Sequence, residues 1–280
     1  MAHDDIHGDL RLLVAQSPPD LRGLIGTVRS VCAGTLGLAA LPSETPGGQA
    51  DPAVAEFAEQ FSVDVAGITD EQRARLSAAL GAATFPAVVQ IYLADFLPRV
   101  RAGLQALGLA VPWDRAPEWD PTADAGDIVF TRLLPGIARL RDLDPVSTEV
   151  VRLRGAAAHQ CRLCRSLRES TALEAGGSET LYDDIADYEN SALLSAGQRA
   201  ALRYVDALVW TPAHIPADVA AGVLAHFSAD QARELTLDVM RNASNKIAVA
   251  LKADAPHVEQ GTEQYRIDAD GQTVFTSRSL

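Results

Sequence analysis

Lysine, cysteine and aromatic residues are all scarce in this chain of 280 residues. Lys246 and Lys252 are its only lysines, so almost every basic residue is an arginine. Three cysteines are too few for the disulfide scaffold of a small secreted protein. Aromatic residues make up only 5% of the chain, and abundant Ala, Leu and Val favour closely packed helices over a β-sandwich. The net charge of −13 argues against nucleic acid or an anionic membrane as a partner.

Signals for export and for membrane insertion are also missing. The opening Met-Ala-His-Asp-Asp is acidic and lacks the basic-then-apolar order of a secretory signal. No apolar run approaches the ~18 residues that span a bilayer. We therefore expect a soluble, cytoplasmic protein without a membrane partner. In such a reducing compartment, a close cysteine pair is more often catalytic or metal-binding than structural.

Helical spacing dominates two long blocks of the chain, and a segment rich in Pro and Trp separates them. Three Ser/Thr-x-x-Gln capping boxes mark helix starts at Thr69, Ser195 and Ser228. Near the end, two β-prone runs flank Asp270-Gly271, which predicts a hairpin turn. The predicted parts are an N-terminal helical domain over 1–110, a linker over 111–126, a second helical domain over 127–258 and a hairpin tail over 259–280.

A weak internal similarity relates the two helical blocks. When the sequence is aligned with itself at a shift of 147 residues, several apolar residues align with apolar residues. Asp95 then aligns with Asn242, and Arg99 aligns with Lys246. This leaves open whether the halves are repeats of one helical unit. If they are, the first half is degenerate, because it contains a single cysteine, Cys32.

Cys161 and Cys164 are the one close cysteine pair in the sequence. Two thiols separated by two residues can close a small disulfide ring. If Cys161 opens a helix, the positive end of the helix dipole lowers the pKa of its thiol. Glu149 stands twelve positions before Cys161. A proton acceptor beside a reactive dithiol is a minimal set for thiol redox chemistry.

The spacing from Glu149 to Cys161-x-x-Cys164 resembles that of the AhpD-like alkylhydroperoxidases within the carboxymuconolactone decarboxylase family. The resemblance extends from about Asp144 to Leu251. It includes the run Leu194-Ser-Ala-Gly-Gln-Arg-Ala-Ala-Leu-Arg-Tyr-Val-Asp-Ala-Leu208, the His226-Phe-Ser run and a closing helix with Asn242 and Asn245. It implies an all-α helical bundle that forms homo-oligomers.

The resemblance also implies roles for individual residues. Cys164 attacks a peroxide and becomes a sulfenic acid, Cys161 resolves it as a disulfide, and Glu149 accepts the proton. Helix-dipole reasoning favours Cys161 as the nucleophile instead, and we follow the family. The family's relay histidine corresponds to Arg168, which cannot pass a proton but can hold a thiolate or a carboxylate. His159, two residues before Cys161, is the alternative relay residue.

We therefore expect a thiol–disulfide oxidoreductase that acts on a small hydroperoxide or disulfide and is reset by an external thiol reductant. No flavin or nicotinamide fingerprint is present, so we expect no cofactor. The histidines are too scattered for a zinc site. Five arginines between 152 and 168 form either surface ion pairs or an electropositive pocket.

Two other functions remain open at this point. The first is an acid–base enzyme of the carboxymuconolactone decarboxylase type, with Arg168 gripping a carboxylate. The second is a non-enzymatic assembly module in which the cysteines are relics.

Overall fold

The computed structural model describes residues 2–47, 51–113 and 117–275. Helices account for 64% of the chain and strands for 5%, so the fold is all-α with short C-terminal strands, as the sequence predicts. The helices of the first half are α1 (Ala2–Ala15), α2 (Arg22–Leu36), α3 (Pro52–Val63), α4 (Asp70–Leu80) and α5 (Thr84–Ala106). Short 3₁₀ turns at Val65–Gly67 and Gly81–Ala83 connect the last three.

The second half contains shorter helices around the cysteine pair and longer ones behind it. They are α6 (Ala125–Asp127), α7 (Leu134–Ala138), α8 (Pro145–Ala158), α9 (Arg162–Arg165), α10 (Ser170–Glu174), α11 (Glu179–Asp183), α12 (Ala196–Trp210), α13 (Ala217–His226), α14 (Ala229–Ala243) and α15 (Asn245–Ala250). A π-helical segment, Ile128–Leu133, joins α6 to α7, and a 3₁₀ turn, Asp184–Asp187, follows α11.

All three predicted capping boxes are present, and each opens a helix. The cap hydroxyl accepts from the third helical N–H and the glutamine side chain accepts from the cap N–H, in Thr69/Gln72, Ser195/Gln198 and Ser228/Gln231. Asp144 caps α8 by accepting from the Ser147 N–H at 2.9 Å, and Pro145 occupies the first turn. The start of α8 is therefore set locally, which fixes the register of Glu149 on that helix.

One apolar core runs through both halves of the chain. The long helix α5 packs against α2 on one side and against α12, α14 and α15 on the other. The cluster of buried side chains extends from Ile6 to Ala250 without a break between the halves. A smaller cluster that includes Val150, Tyr182 and Leu202 lies between α8 and α12. The two halves are therefore held by shared packing, and their relation as repeats stays a prediction.

A buried ion cluster crosses this core. Asp95 on α5 accepts from Arg99 Nε at 2.9 Å and from Lys246 Nζ at 2.5 Å. Arg99 also donates to the carbonyls of Ser62, Leu208 and Val209 at 2.6–2.9 Å. All three charged side chains are almost completely buried. The cluster therefore ties α5 to the segments around α3, α12 and α15, and each charge depends on the others for compensation.

The linker region 111–126 is attached to the helical body where the structure describes it. Trp113 is buried and Trp119 is half-buried. Asp120 pairs with the end of α1, because its N–H donates to Ala15 O at 2.9 Å and its carbonyl accepts from Ser17 N at 2.7 Å. The described part of this segment therefore lies against α1.

Three short strands form a small sheet, with β1 (Leu167–Glu169) beside β2 (Glu263–Ile267) and β2 beside β3 (Thr273–Phe275). β2 and β3 are antiparallel and form the predicted hairpin. Gly271 in its turn has φ +82°, and an added Cβ would collide with the Pro135 carbonyl of α7. The pairing of β1 with β2 is parallel and was not predicted. The hairpin thus packs on the helical body and extends a strand that follows the cysteine pair.

One helical stretch among the described residues, 70–106, is long and apolar enough by composition to cross a membrane. It is an exception to the sequence expectation that no apolar run approaches that length. It contains α5, whose buried Asp95 and Arg99 are part of the central ion cluster. Core helices of soluble proteins pass the same test of length and composition, and this one is consistent with a soluble protein.

The ion cluster predicts different roles for the two lysines. Replacing Lys246 with Met leaves Asp95 buried without one of its partners, so Lys246→Met is expected to lower the free energy of unfolding by about 3 kcal/mol. Lys252 is exposed and pairs with exposed Asp70. The matched variant Lys252→Met is therefore expected to change the free energy of unfolding by less than about 1 kcal/mol. Urea denaturation of both variants measures the difference. Equal stabilities would show that the cluster contributes little.

Candidate functional site

The cysteine pair lies in a sharp turn between α8 and α9. Helix α8 ends at Ala158, and Gln160 then adopts a positive φ of 52°, which reverses the chain. Cys161 follows in an extended conformation as the N-cap of α9, and its Sγ accepts from the Cys164 N–H at 3.2 Å. Cys161 does open a helix, which is the condition for a dipole effect on its thiol. That helix has only four residues, so its dipole is a small part of the electrostatics at the sulfurs.

Cys161 and Cys164 form a disulfide, with their Cα atoms 5.3 Å apart. Cys161 is completely buried, whereas Cys164 is half-buried. Both line a pocket of about 400 Å³, the dithiol pocket. One sulfur of the pair is therefore reachable from solvent and the other lies behind it.

Arg152 connects Glu149 to the main chain around the cysteines. Its guanidinium donates to both carboxylate oxygens of Glu149 at 2.6 and 2.7 Å. The same group donates to the carbonyls of Cys164 at 2.8 Å and Leu167 at 2.7 Å. Glu149 is buried and also accepts from the Glu169 N–H at 3.2 Å. The predicted proton acceptor is thus part of a bridge that holds the cysteine loop.

The charge of Arg152 is stabilised inside the protein. Burial opposes that charge, but the adjacent Glu149 carboxylate outweighs it and raises the pKa of Arg152 above its ordinary value. Glu149 itself lines a second, smaller cavity of about 40 Å³, and not the dithiol pocket. Arg152, Arg241 and Tyr265 line both spaces. The structure therefore places the Glu149 carboxylate one side chain away from the cysteines.

His159 is turned into the core, away from the dithiol pocket. The ring is buried and meets the edge of Phe96 at a centroid distance of 6.1 Å. Burial, with Lys246 and Arg99 nearby, lowers the pKa of His159 well below its ordinary value. The residue is the C-cap of α8, and the chain reverses after it, which separates its side chain from the cysteine pocket. The structure does not bring the predicted relay histidine to the sulfurs.

Arg168 is also not brought to the dithiol pocket. It lies in β1, where its guanidinium pairs with Glu179 at 2.8–2.9 Å. It donates further to the carbonyls of Arg165 and Leu167, each at 2.8 Å, and stacks over the Tyr182 ring. All three guanidinium nitrogens are engaged, so Arg168 is not positioned to hold a thiolate or a substrate carboxylate.

Most of the arginine cluster around the cysteines is neutralised by local acids. Of the five arginines, Arg152, Arg154, Arg162 and Arg168 pair with Glu149, Asp206, Asp254 and Glu179 respectively. Asp254 also accepts from the Arg162 N–H at 2.9 Å and so anchors the start of α9. Four of the five arginines therefore form ion pairs, although those of Arg152 and Arg168 are not the predicted surface pairs, because both arginines are buried.

The wall of the dithiol pocket contains residues that sequence reasoning did not assign to the site. Arg241, Asn242 and Ser244 come from the end of α14, Asn245 from the start of α15, and Tyr265 from β2. The first four form a polar cluster at the end of an otherwise amphipathic helix. That cluster was visible in the sequence, but its closeness to the cysteines depends on packing between distant helices.

Asp238 lines the small cavity beside Glu149. Its side chain is buried, and its Oδ2 has no hydrogen-bond partner among the described residues. Burial raises the pKa of Asp238 to about 7, which the nearby Arg241 only partly opposes. A cavity of about 40 Å³ has room for an ordered water. Within residues 2–47, 51–113 and 117–275, no group of three His, Cys, Asp or Glu residues is arranged to hold a metal ion.

Comparisons with known proteins identify relatives of this chain. The uncharacterized proteins Rv2313c and MT2376, from two strains of Mycobacterium tuberculosis, are 57% identical to it over 278 residues, which cover 96% of this chain and 98% of each relative. The uncharacterized protein YnjA of Escherichia coli is 31% identical over 114 residues, 40% of this chain and 63% of that protein. No protein-family model and no solved structure matches the chain. The resemblance to AhpD-like proteins therefore stays a prediction.

The buried Asp238 predicts a pH dependence of stability. Because its folded pKa of about 7 lies above the ordinary 3.8, the folded state keeps a proton that the unfolded state releases as pH rises. Stability is therefore expected to fall between pH 4 and 7 and then level off. Three pKa units correspond to about 4 kcal/mol, and Asp238→Asn should remove most of that slope.

Urea denaturation at several pH values between 4.5 and 8 measures this slope. Asp230→Asn is the matched control, because Asp230 is exposed on the same helix and should leave the wild-type slope unchanged. An Asp238→Asn variant with the wild-type slope would contradict the assignment.

Proposed function

This chain belongs to the family of the mycobacterial proteins Rv2313c and MT2376, and we propose that it is a thiol–disulfide oxidoreductase that uses Cys161 and Cys164. One observation carries the proposal: Cys161 and Cys164 form a disulfide at the wall of a pocket, and the two cysteines differ in their exposure to solvent. An incoming thiolate reaches half-buried Cys164 first and releases buried Cys161 as the leaving group. In the reduced protein, Cys164 is then the sulfur that meets a substrate.

Organic hydroperoxides are the substrates that the AhpD-like resemblance suggests. The Cys164 thiolate attacks the terminal peroxide oxygen; an S–O bond forms as the O–O bond breaks, and the alkoxide takes a proton from water. Cys161 then attacks the sulfenic sulfur, its thiol proton leaves with the hydroxyl as water, and the disulfide forms. An external dithiol returns two electrons and two protons by exchange through Cys164. Such a cycle requires a pool of thiols, so we propose a cytoplasmic location.

Arg152 and Glu149 are positioning residues in this proposal. Arg152 binds the carbonyls of Cys164 and Leu167 and so holds the turn that carries Cys164. Glu149 keeps the guanidinium in place and balances its charge during folding. Neither His159 nor Arg168 takes part, because neither lines the dithiol pocket. The family resemblance further leads us to propose a homo-oligomer.

Mass spectrometry after a stoichiometric dose of cumene hydroperoxide tests the proposal. Reduced wild-type protein is expected to lose two hydrogens, mapped to a Cys161–Cys164 bridge. Cys161→Ser should stop at a sulfenic acid on Cys164 that dimedone captures, and Cys164→Ser should form neither product. Cys32 is an internal control, because burial raises the pKa of Cys32 to about 12 and should leave it unoxidised.

Two outcomes would contradict this scheme. Thiols that react with an alkylating agent in the folded protein but form no bridge would remove the redox function. A sulfenic acid captured on Cys161 in the Cys164→Ser variant, with no product in Cys161→Ser, would reverse the two roles.

Asp238 favours a second candidate, an acid–base enzyme of the carboxymuconolactone decarboxylase type. A carboxyl group with a pKa near 7 is suited to proton transfer at neutral pH. It shares its cavity with Glu149 and Arg152, so a proton acceptor and a fixed cation are adjacent. This chemistry has no need of two thiols.

The double variant Cys161→Ser/Cys164→Ser separates the two candidates. A redox enzyme loses hydroperoxide turnover in the double variant. It keeps that turnover to within about tenfold in Asp238→Asn, because losing an essential general acid or base costs more than this and Asp238 is not essential to the redox reaction. An acid–base enzyme acting on a carboxylated lactone shows the reverse pattern. Consumption of hydroperoxide and release of carbon dioxide are the two readouts.

A further inference from the structure

The dithiol pocket has one apolar side and one polar side. Phe130, Leu134, Pro135 and Leu163 contribute apolar surface, and the polar side comes from the junction of α14 with α15. Its volume of about 400 Å³ is in the range of small-molecule sites. The pocket therefore suits a ligand that is itself apolar at one end and polar at the other.

The polar side presents hydrogen-bond donors that the described residues do not use. The guanidinium of Arg241 makes no hydrogen bond or ion pair within the described part of the chain, although its charge influences the carboxyl groups of Asp238 and Glu169. Asn242 Nδ2 is buried and has no hydrogen-bond partner there either. A buried donor without a partner costs about 1–3 kcal/mol, so a ligand that accepts from it gains that amount back.

The unused guanidinium donors distinguish Arg241 from other cations near the cysteines. Arg152 spends all of its guanidinium nitrogens on Glu149 and two carbonyls. Arg162 and Arg168 are paired with acids. Arg241 is half-buried, so a charge-assisted bond to it is less screened than one on the open surface. Arg241 lines the pocket with its guanidinium donors unused, and the buried Nδ2 of Asn242 reaches a ligand once its side chain turns toward the pocket. Together these donors match the acceptor atoms of a carboxylate.

We propose that the dithiol pocket binds an amphipathic organic carboxylate, with the carboxylate on Arg241 and Asn242 and the apolar chain along Phe130, Leu134 and Leu163. In such a ligand, a hydroperoxide on the chain lies toward Cys164. The assignment of a hydroperoxide as the reactive group of the ligand rests on the proposed redox function, whereas the carboxylate site does not. The preferred substrate class is therefore a hydroperoxy fatty acid, ahead of a neutral alkyl hydroperoxide.

Kinetics with a matched pair of substrates test the proposal on the full reduced chain. A medium-chain hydroperoxy acid and its methyl ester share the apolar body and the peroxide but differ in charge. Wild-type protein is expected to prefer the acid by about tenfold or more in kcat/KM, mainly through KM, as one charge-assisted contact allows. Arg241→Gln should bring the acid-to-ester ratio of kcat/KM near one, mainly by raising KM for the acid.

Three further variants guard against a purely structural effect. Arg241→Lys keeps the charge and should retain part of the preference. Asn242→Leu should weaken acid binding several-fold without removing the charge. Arg165→Gln removes an exposed arginine close to the cysteines that does not line the pocket, and it should keep the wild-type ratio.

Titration calorimetry with the corresponding hydroxy acid and its methyl ester separates the carboxylate site from the redox chemistry. Tighter binding of the acid, lost in Arg241→Gln, supports the site even if no hydroperoxide is turned over, in which case the proposed function fails alone. Equal turnover and equal binding of acid and ester, with no effect of Arg241→Gln, would overturn the inference and leave the redox function intact.

Discussion

The guanidinium of Arg152 is the contact on which the arrangement of the cysteine loop depends. Residues 159–167 contain one short helix, and that helix is too small to hold its own position. Arg152 supplies the missing restraint by joining two carbonyls of this segment to Glu149 on the long, capped helix α8. A buried ion pair of this kind contributes little net stability, and its value lies in fixing a geometry. The segment held in this way leaves Cys164 half-buried and Cys161 buried.

The small sheet provides a second attachment for the same segment. β1 begins three residues after Cys164 and pairs with β2 near the end of the chain. Tyr265 of β2 packs its ring against the Arg152 guanidinium at 5.6 Å and also lines both cavities. Restraints from α8, from Asp254 and from β2 therefore converge on a loop of about ten residues. Apolar packing alone would not specify such a loop, because few of its side chains are fully buried.

The parts of this fold that depend on local sequence were predictable. The capping boxes at Thr69, Ser195 and Ser228, and the hairpin turn at Gly271, are set by neighbours within a few residues. The orientation of His159 was not predictable, because its ring faces buried charges from distant helices, whereas the reversal at Gln160 redirects the cysteines that follow it. The parallel pairing of β1 with β2 and the closeness of Arg241 to the cysteines arise from contacts between remote segments, which residue spacing does not encode.

The hairpin has a consequence for biosynthesis. Gly271, Gln272 and Thr273 form part of the pocket wall, and β1 has no partner strand until β2 exists. The hairpin follows the cysteines by about a hundred residues, so a nascent chain carries both cysteines before the cleft around them is complete. The complete wall of the pocket therefore exists only once the hairpin has been synthesised.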